Sequence, residues 1–301
     1  VTLGCLVIRF LPSVEMTSGS EALDARQPMT IKSARQSTRF ILPALFLLTA
    51  LAAVPAGAHE YWIEPADFRP AAGRKVPLRL YVGQDFRGES QIFLPALFDR
   101  YSVIGPGGEQ AVAGTAGDDP AGSFTPNQPG LHVVVFHSNL ATVNFDTRAE
   151  FERYLDKEGL ERVRSLPEYE RLVNRKIIRE RYSRNAKSLI TVGPSAEADR
   201  VVGLPLELIA ERNPASGGHR GNFPVRLLHK GKPLSGALVI AFQRTNPVTR
   251  ITARTDQDGR ALLPLKNPGL WLVSAVHLAP APRFAREEWE SLWASLTFEL
   301  R

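Results

Sequence analysis

The chain has 301 residues and a single cysteine, and its 37 Lys and Arg against 31 Asp and Glu give a net charge of +6. One cysteine excludes a disulfide framework and a thiolate cluster, so a metal site must use nitrogen and oxygen donors. The charge is too small for this length to indicate a nucleic acid or an anionic membrane surface as partner.

The first predicted element is a secretory signal. Basic residues precede an uncharged apolar run from Phe40 to Val54, and the small residues Ala56-Gly57-Ala58 close it, which is the order of a cleavable signal. The run of about 15 residues is shorter than the roughly 20 that a membrane anchor needs. We expect residues 1–58, including an extension upstream of Met29, to be removed, leaving a periplasmic protein with no stable membrane insertion.

Cleavage after Ala58 makes His59 the first residue of the mature protein. It removes Cys5, five basic and three acidic residues, which leaves a net charge of +4. The remaining pattern predicts a mainly β fold of two immunoglobulin-like β-sandwich domains with a helical insertion between them.

Residues 59–145 are predicted to form the amino-terminal β-sandwich. Apolar and polar residues alternate from Arg74 to Val82, as in a half-buried strand. Further strand-like runs follow at Tyr101–Ile104 and Leu131–Phe136, separated by glycine and proline turns.

Residues 146–186 are predicted to be the helical insertion. Thr147 and Glu150 have the spacing of a capping box, Gly159 is a suitable helix stop, and a second helix is expected from about Glu168 to Tyr182. The basic residues of that second helix are interleaved with glutamates, which favours a solvated, ion-paired face over a binding patch.

Residues 187–200 are predicted to be a returning strand and a polar linker, and residues 201–301 the carboxy-terminal immunoglobulin-like sandwich. Its short apolar runs have the spacing of such a sandwich. The runs are Leu204–Ile209, Phe223–Leu228, Ala237–Phe242, Ile251–Thr255, Arg260–Leu265, Trp271–His277 and Ser295–Leu300.

The predicted amino-terminal residue is the main candidate for chemistry. A free α-amino group and an imidazole on His59 can close one chelate ring on a divalent metal. The α-amine has a pKa of about 7.7–8.0, so part of it is unprotonated at neutral pH, and nitrogen ligation favours Co²⁺, Ni²⁺ and Cu²⁺ over Ca²⁺ or Mg²⁺. Glu60 is a candidate oxygen donor or a supporting carboxylate.

A complete site needs a further donor from the other histidines. His132 and His137 are five apart on one strand, so they face opposite sides of it. His277 ends a strand in which Trp271, Val273 and Ala275 alternate with other residues, where it packs inside or lines a cleft. His229 adjoins a Lys-Gly-Lys turn and is predicted to be exposed and idle.

Other motifs carry less chemistry. Asp256-Gln257-Asp258-Gly259 resembles half of a calcium loop but lacks the later glutamate, and an Asp-Gly pair between strands is usual in a hairpin turn. The sequence has no Gly-x-Ser-x-Gly, no phosphate loop, no His-Glu-x-x-His and no cysteine nucleophile in the mature part. Catalysis is therefore not expected.

Several segments together resemble a known family. They are His59-Glu60-Tyr61-Trp62-Ile63-Glu64-Pro65, residues 181–187 leading into Val192-Gly193, residues 203–209, residues 231–237, residues 255–260 and residues 289–298. They are similar to bacterial exported proteins described as periplasmic components of cobalt or nickel uptake systems, a family otherwise known as a domain of unknown function. The resemblance implies a periplasmic metal-binding or delivery protein, with His59 and His277 as ligands.

The leading hypothesis is therefore capture of Ni²⁺ or Co²⁺, with Cu²⁺ as a further candidate. His59 binds the ion, His277 or His137 and Glu60 complete the site, and a membrane permease receives the metal. Two alternatives stay open: a copper-dependent oxidase that uses an amino-terminal histidine, and an envelope protein-interaction module that binds no metal.

Overall fold

The computed structural model describes residues 59–217 and 221–301. The predicted signal and extension, residues 1–58, and His219 lie outside this part of the chain. The strands of residues 59–192 are β1 (Glu60–Pro65), β2 (Val76–Gln84), β3 (Arg87–Gln91), β4 (Phe98–Gly105), β5 (Gly108–Ala111), β6 (Ser123–Phe124), β7 (Gly130–Ser138), β8 (Ala141–Phe145) and β9 (Ile178–Val192).

Three short helices of the described chain lie between β8 and β9. They are α1 (Arg148–Lys157), a 3₁₀ helix (Glu161–Ser165) and α2 (Pro167–Glu170). The later strands are β10 (Leu206–Ala210), β11 (Phe223–His229), β12 (Lys232–Pro233), β13 (Leu238–Gln243), β14 (Thr249–Arg254), β15 (Arg260–Leu263), β16 (Gly269–Pro280) and β17 (Trp289–Leu300). In residues 59–217 and 221–301, every helix is too short or too polar to cross a bilayer.

The strands form three sheets in the described residues. A central sheet has the order β14-β13-β16-β17-β9-β7-β4-β5, with β8 also paired to β9. The first outer sheet contains β1, β2, β3 and β6, and the second contains β10, β11, β12 and β15. The central sheet is mostly antiparallel, but β9 and β17 run parallel, with Glu180 opposite Trp289 and Ala186 opposite Ser295.

The two outer sheets cover opposite faces of the central sheet. Val134, Phe136 and Ile190 of the central sheet pack against Leu78 and Leu80 of the first outer sheet. The neighbouring positions Val133, Val135 and Leu189 instead join the core formed with the second outer sheet. Successive side chains of a strand point to opposite faces, so one central sheet supplies both cores.

The mainly β prediction is confirmed, but the predicted division into two separate sandwiches is not what the structure shows. Strands from residues 59–145 and from residues 201–301 join the same central sheet, and the described chain clusters as one compact unit. The predicted linker is also bound tightly to the fold. Buried Lys187 of β9 lies 2.8 Å from Asp199 and 3.1 Å from Glu207.

The helical insertion begins as predicted. The Thr147 hydroxyl accepts a hydrogen bond from the Glu150 amide at 3.2 Å, and Glu150 in turn accepts one from the Asp146 amide at 2.9 Å. Phe151, Tyr154 and Leu155 form the buried face of α1. Gly159 follows with φ +67°, a backbone conformation that suits glycine at a helix end.

The predicted second helix from Glu168 to Tyr182 is wrong over most of its length. Only α2 is helical, and β9 already begins at Ile178. Pairing with β8 and β17 on either side satisfies the backbone of this segment, which overrides a local helical pattern. Arg179 and Arg181 of this segment are ion-paired with Glu288 and Glu290, which lie 109 residues further along the chain.

The turn at Asp256–Gly259 is confirmed, although it is not a hairpin. The Asp256 carboxylate accepts hydrogen bonds from the amides of Asp258 and Arg260, each at 2.9 Å. The strand before it, β14, belongs to the central sheet, and β15 belongs to the second outer sheet. The turn therefore carries the chain from one layer to another.

Candidate functional site

His59 immediately precedes β1 and is half-buried. Its carbonyl oxygen accepts a hydrogen bond from Nη1 of Arg184 at 3.2 Å, and the Arg184 guanidinium also lies over the ring of Tyr61, 5.1 Å from its centroid. Arg184 belongs to β9 of the central sheet. The predicted first residue of the mature protein is thus attached to the body of the fold.

The adjacent Glu60 is buried, and its carboxylate acts on that of Glu158. Nζ of Lys157 is 3.8 Å from Glu60 and 3.6 Å from Glu158, so one ammonium group faces two carboxylates. Glu180 of β9 lies near Glu158. We call Glu60, Glu158 and Glu180 the carboxylate cluster. All three are at most 3% exposed.

Burial sets the protonation of this cluster. Desolvation raises the pKa of Glu60 against the opposing charge of Lys157. Desolvation also raises the pKa of Glu158 to about 7, and Lys157 limits the rise. Oε2 of Glu60 has no hydrogen-bond partner within the described chain, so this oxygen is a donor that the fold itself does not use.

Glu180 is the most deeply enclosed member of the cluster. It accepts a hydrogen bond from the Ser291 hydroxyl, and Ser291 in turn accepts one from the Trp293 indole at 2.9 Å. Burial raises the pKa of Glu180 to about 8, although the bond from Ser291 acts in the opposite direction. Glu180 is therefore mostly protonated and uncharged at neutral pH.

The side chains of this region do not by themselves form a complete metal site. No group of three His, Cys, Asp or Glu side chains in residues 59–217 and 221–301 is placed to hold one ion. The proposed chelate depends on the α-amino nitrogen of His59, which becomes available only after the preceding peptide bond is cut.

His277 does not complete the His59 chelate. It follows Val273 and Ala275, which belong to the core with the second outer sheet, and its ring contacts His229 of β11 in that sheet. His59 leads into β1 of the first outer sheet. The central sheet therefore lies between the two histidines, and the predicted pairing of His59 with His277 is wrong.

His137 is also separated from His59. Alternation along β7 places it on the face that carries Val133 and Val135, which pack towards the second outer sheet. On that face it lies three strand spacings from His277, about 14 Å at the usual interstrand distance. His137 therefore completes neither a site at His59 nor one at His277.

The remaining histidines differ from expectation in one case. His132 is buried beside Phe124, and its Nδ1 lies 3.3 Å from the Gly130 carbonyl oxygen. This is the environment expected of a structural histidine. His229 is half-buried rather than exposed, and its ring centroid lies 4.3 Å from that of His277. Its place after Val225 and Leu227 at alternate positions is the sequence signal that predicts an inward-facing side chain.

The surroundings of His59 also bear on the two alternative functions. Trp62 is only 1% exposed and Tyr61 packs on Phe136 at 4.8 Å, so neither ring offers a flat aromatic surface for a sugar. An apolar groove of about 310 Å³ lies beside Tyr61 and Arg184.

Comparison with known proteins gives a family but no activity. A family model described as Domain of unknown function (DUF4198) matches residues 56–279. No curated protein matches the chain. Among solved structures, the D0-D1 domain of Intimin is 12% identical, with 79% of this chain and 97% of that chain covered and a TM-score of 0.19. A score this low carries no argument about fold or function.

Proposed function

The chain belongs to the family described as Domain of unknown function (DUF4198), and we propose that it is a periplasmic protein that binds Ni²⁺ or Co²⁺ and delivers the ion to a membrane permease. The α-amine and imidazole of His59 form the chelate, and Glu60 supplies an oxygen donor. Cu²⁺ is a further guest, because affinity for nitrogen donors rises along this series.

The single observation that carries the proposal is that Glu60, the residue directly after His59, is a buried and under-neutralised carboxylate. Glu60 and Glu158 share one ammonium group, and Oε2 of Glu60 has no hydrogen-bond partner in the described residues. A divalent cation next to these groups would supply the missing positive charge. Burial would also strengthen that attraction relative to water.

The position of the site also suits delivery rather than permanent storage. His59 is half-buried at the start of β1, so an ion held there keeps access to solvent and to a partner protein. Open coordination positions allow ligand exchange. A permease that presents nitrogen or oxygen donors can then take the ion without unfolding of the protein.

The test is calorimetric titration of the chain that begins at His59 with NiCl₂ or CoCl₂. We expect one ion bound at His59. We expect at least a tenfold loss of affinity when the α-amine of His59 is acetylated, because the amine donor is then lost while every side chain is retained. Equal affinity of the two chains would show that the chelate does not form.

Two variants complete this experiment. Glu60→Gln keeps the size of the side chain and removes its charge, and it should weaken binding. His137→Ala is the matched control, since His137 lies on the other side of the central sheet, and it should leave the affinity at His59 unchanged. An equal loss in both variants would contradict the assignment of Glu60.

A further inference from the structure

His229 and His277 join two layers of the fold. His229 is the last residue of β11 in the second outer sheet, and His277 lies in β16 of the central sheet. Their rings are 4.3 Å apart between centroids, with an angle of 43° between the ring planes. We propose that His229 and His277 form a second transition-metal site, independent of His59, which binds one Cu²⁺ or Ni²⁺ ion through both imidazoles.

The positions of His229 and His277 on their strands support a metal site rather than two histidines packed inside the core. Val225 and Leu227 precede His229 on the same face of β11, and Val273 and Ala275 precede His277 on the same face of β16. All four are buried, whereas both histidines are only half-buried. The pair therefore lies where the core between the sheets ends, and an ion can reach it from solvent.

The surroundings of the two imidazoles favour their neutral form. Burial, followed by the charge of Lys230, lowers the pKa of His229. Burial, His229 and Lys230 lower the pKa of His277 to about 4. A metal ion competes with protons for ring nitrogens, so two neutral rings at pH 7 favour binding.

The charged groups around the pair act in opposite directions. Lys230 follows His229 directly and opposes a cation, while the charge of Glu290 on β17 favours one. Glu290 is ion-paired with Arg181, so it attracts a cation less than a free carboxylate would. Imidazole donors, rather than net charge, must then supply most of the affinity.

The chemistry of two imidazoles selects the class of ion. Neutral imidazole suits Cu²⁺, Ni²⁺ and Zn²⁺, and affinity rises from Co²⁺ through Ni²⁺ to Cu²⁺. No third His, Cys, Asp or Glu of the described chain completes this site, so water or an added ligand fills the other positions. An ion bound by one residue of β11 and one of β16 would also link the two sheets.

The experiment uses the mature chain carrying His59→Ala, so that the proposed amino-terminal chelate is absent. Titration with CuCl₂ is followed by calorimetry and by electron paramagnetic resonance. We expect one tightly bound Cu²⁺ per chain, hyperfine coupling to imidazole nitrogen, and a higher thermal unfolding midpoint in the presence of the metal. His229→Ala and His277→Ala should each lower the affinity at least tenfold and abolish the shift in midpoint.

His137→Ala is the matched control, because His137 faces the same side of the central sheet three strands away. It should retain the affinity of the parent chain. If His277→Ala does not fold, as judged by circular dichroism, His229→Ala on the half-exposed end of β11 decides. Unchanged Cu²⁺ affinity in His229→Ala, or no Cu²⁺ binding by the His59→Ala chain, would overturn the proposal. Either result would leave the chelate at His59 to be judged by its own titration.

Discussion

Glu180 is a carboxyl group that the fold encloses completely, between β17 and the face of α1 that carries Tyr154. Removing a carboxylate from water is costly unless it is neutralised or fully hydrogen-bonded. The Ser291 hydroxyl donates a hydrogen bond to it and the Tyr154 hydroxyl also acts to lower its pKa, but the effect of burial is larger than both. The protonated acid is therefore the form that the folded protein favours.

This burial predicts how stability depends on pH. The pKa of Glu180 rises from 4.5 to about 8 on folding, so between these values the unfolded chain releases a proton that the folded chain keeps. The free energy of unfolding contributed by Glu180 is therefore highest below pH 4.5 and falls as the pH rises towards 8. The slope is at most about 1.4 kcal/mol per pH unit.

Glu180→Gln should remove this dependence, because the amide keeps an acceptor for Ser291 and does not titrate. Urea unfolding of the metal-free protein at several pH values between 5 and 9 measures the effect. The variant should gain stability relative to the parent as the pH increases. Glu170→Gln, on an exposed position of α2, serves as the control, and parallel pH curves for the parent and Glu180→Gln would contradict the argument.

At the scale of elements, the local sequence pattern predicts an element correctly where tertiary packing favours the same secondary structure as the pattern. The alternation around Leu78 and Leu80 predicts β2, and the Thr147–Glu150 spacing predicts the start of α1. β9 is different. In its first half the buried position 180 is a glutamate, whereas the pattern of a half-buried strand has an apolar residue at such a position. Only the neighbouring strands β8 and β17, distant in sequence, make that segment a strand.

The candidate sites show the same limit. Glu60 could be predicted because it adjoins His59 in sequence, but Glu158 and Glu180 join it through the packing of α1 and β9. Similarly, His229 and His277 are 48 positions apart in the chain, and only the stacking of two sheets brings them together. Alternation predicts which way a side chain faces, but it does not predict which strand will lie opposite.

The cap of α1 provides a prediction at this scale. Thr147→Ala removes the hydroxyl that accepts from the Glu150 amide, and loss of such a cap costs about 1 kcal/mol. Because α1 packs on Trp289 and Trp293 through Phe151 and Tyr154, the whole fold should be destabilised by a similar amount. Urea unfolding measures the change, and Thr147→Ser, which keeps the hydroxyl, should remain close to the parent. If Thr147→Ser lost as much stability as Thr147→Ala, the hydroxyl cap would not be the cause.

At the scale of the whole molecule, the shared central sheet determines how the two cores depend on each other. Val134 and Val135 are neighbours in β7, yet Val134 packs towards the first outer sheet and Val135 towards the second. Lys187 of β9 also pairs with Asp199, which precedes the second outer sheet, and with Glu207 of β10 in that sheet. Loss of either core would expose one face of the same strands.

We therefore expect a single cooperative unfolding transition, whereas two separate sandwiches would give two. Leu78→Ala opens a cavity in the first core and Leu227→Ala in the second, and both side chains are fully buried. Each change should cost about 2–5 kcal/mol and shift one common transition, as seen by calorimetry and by tryptophan fluorescence. Trp62 and Trp271 lie in different cores, so fluorescence follows both regions. If Leu78→Ala shifted one transition and Leu227→Ala another, the layers would unfold independently despite the strands they share.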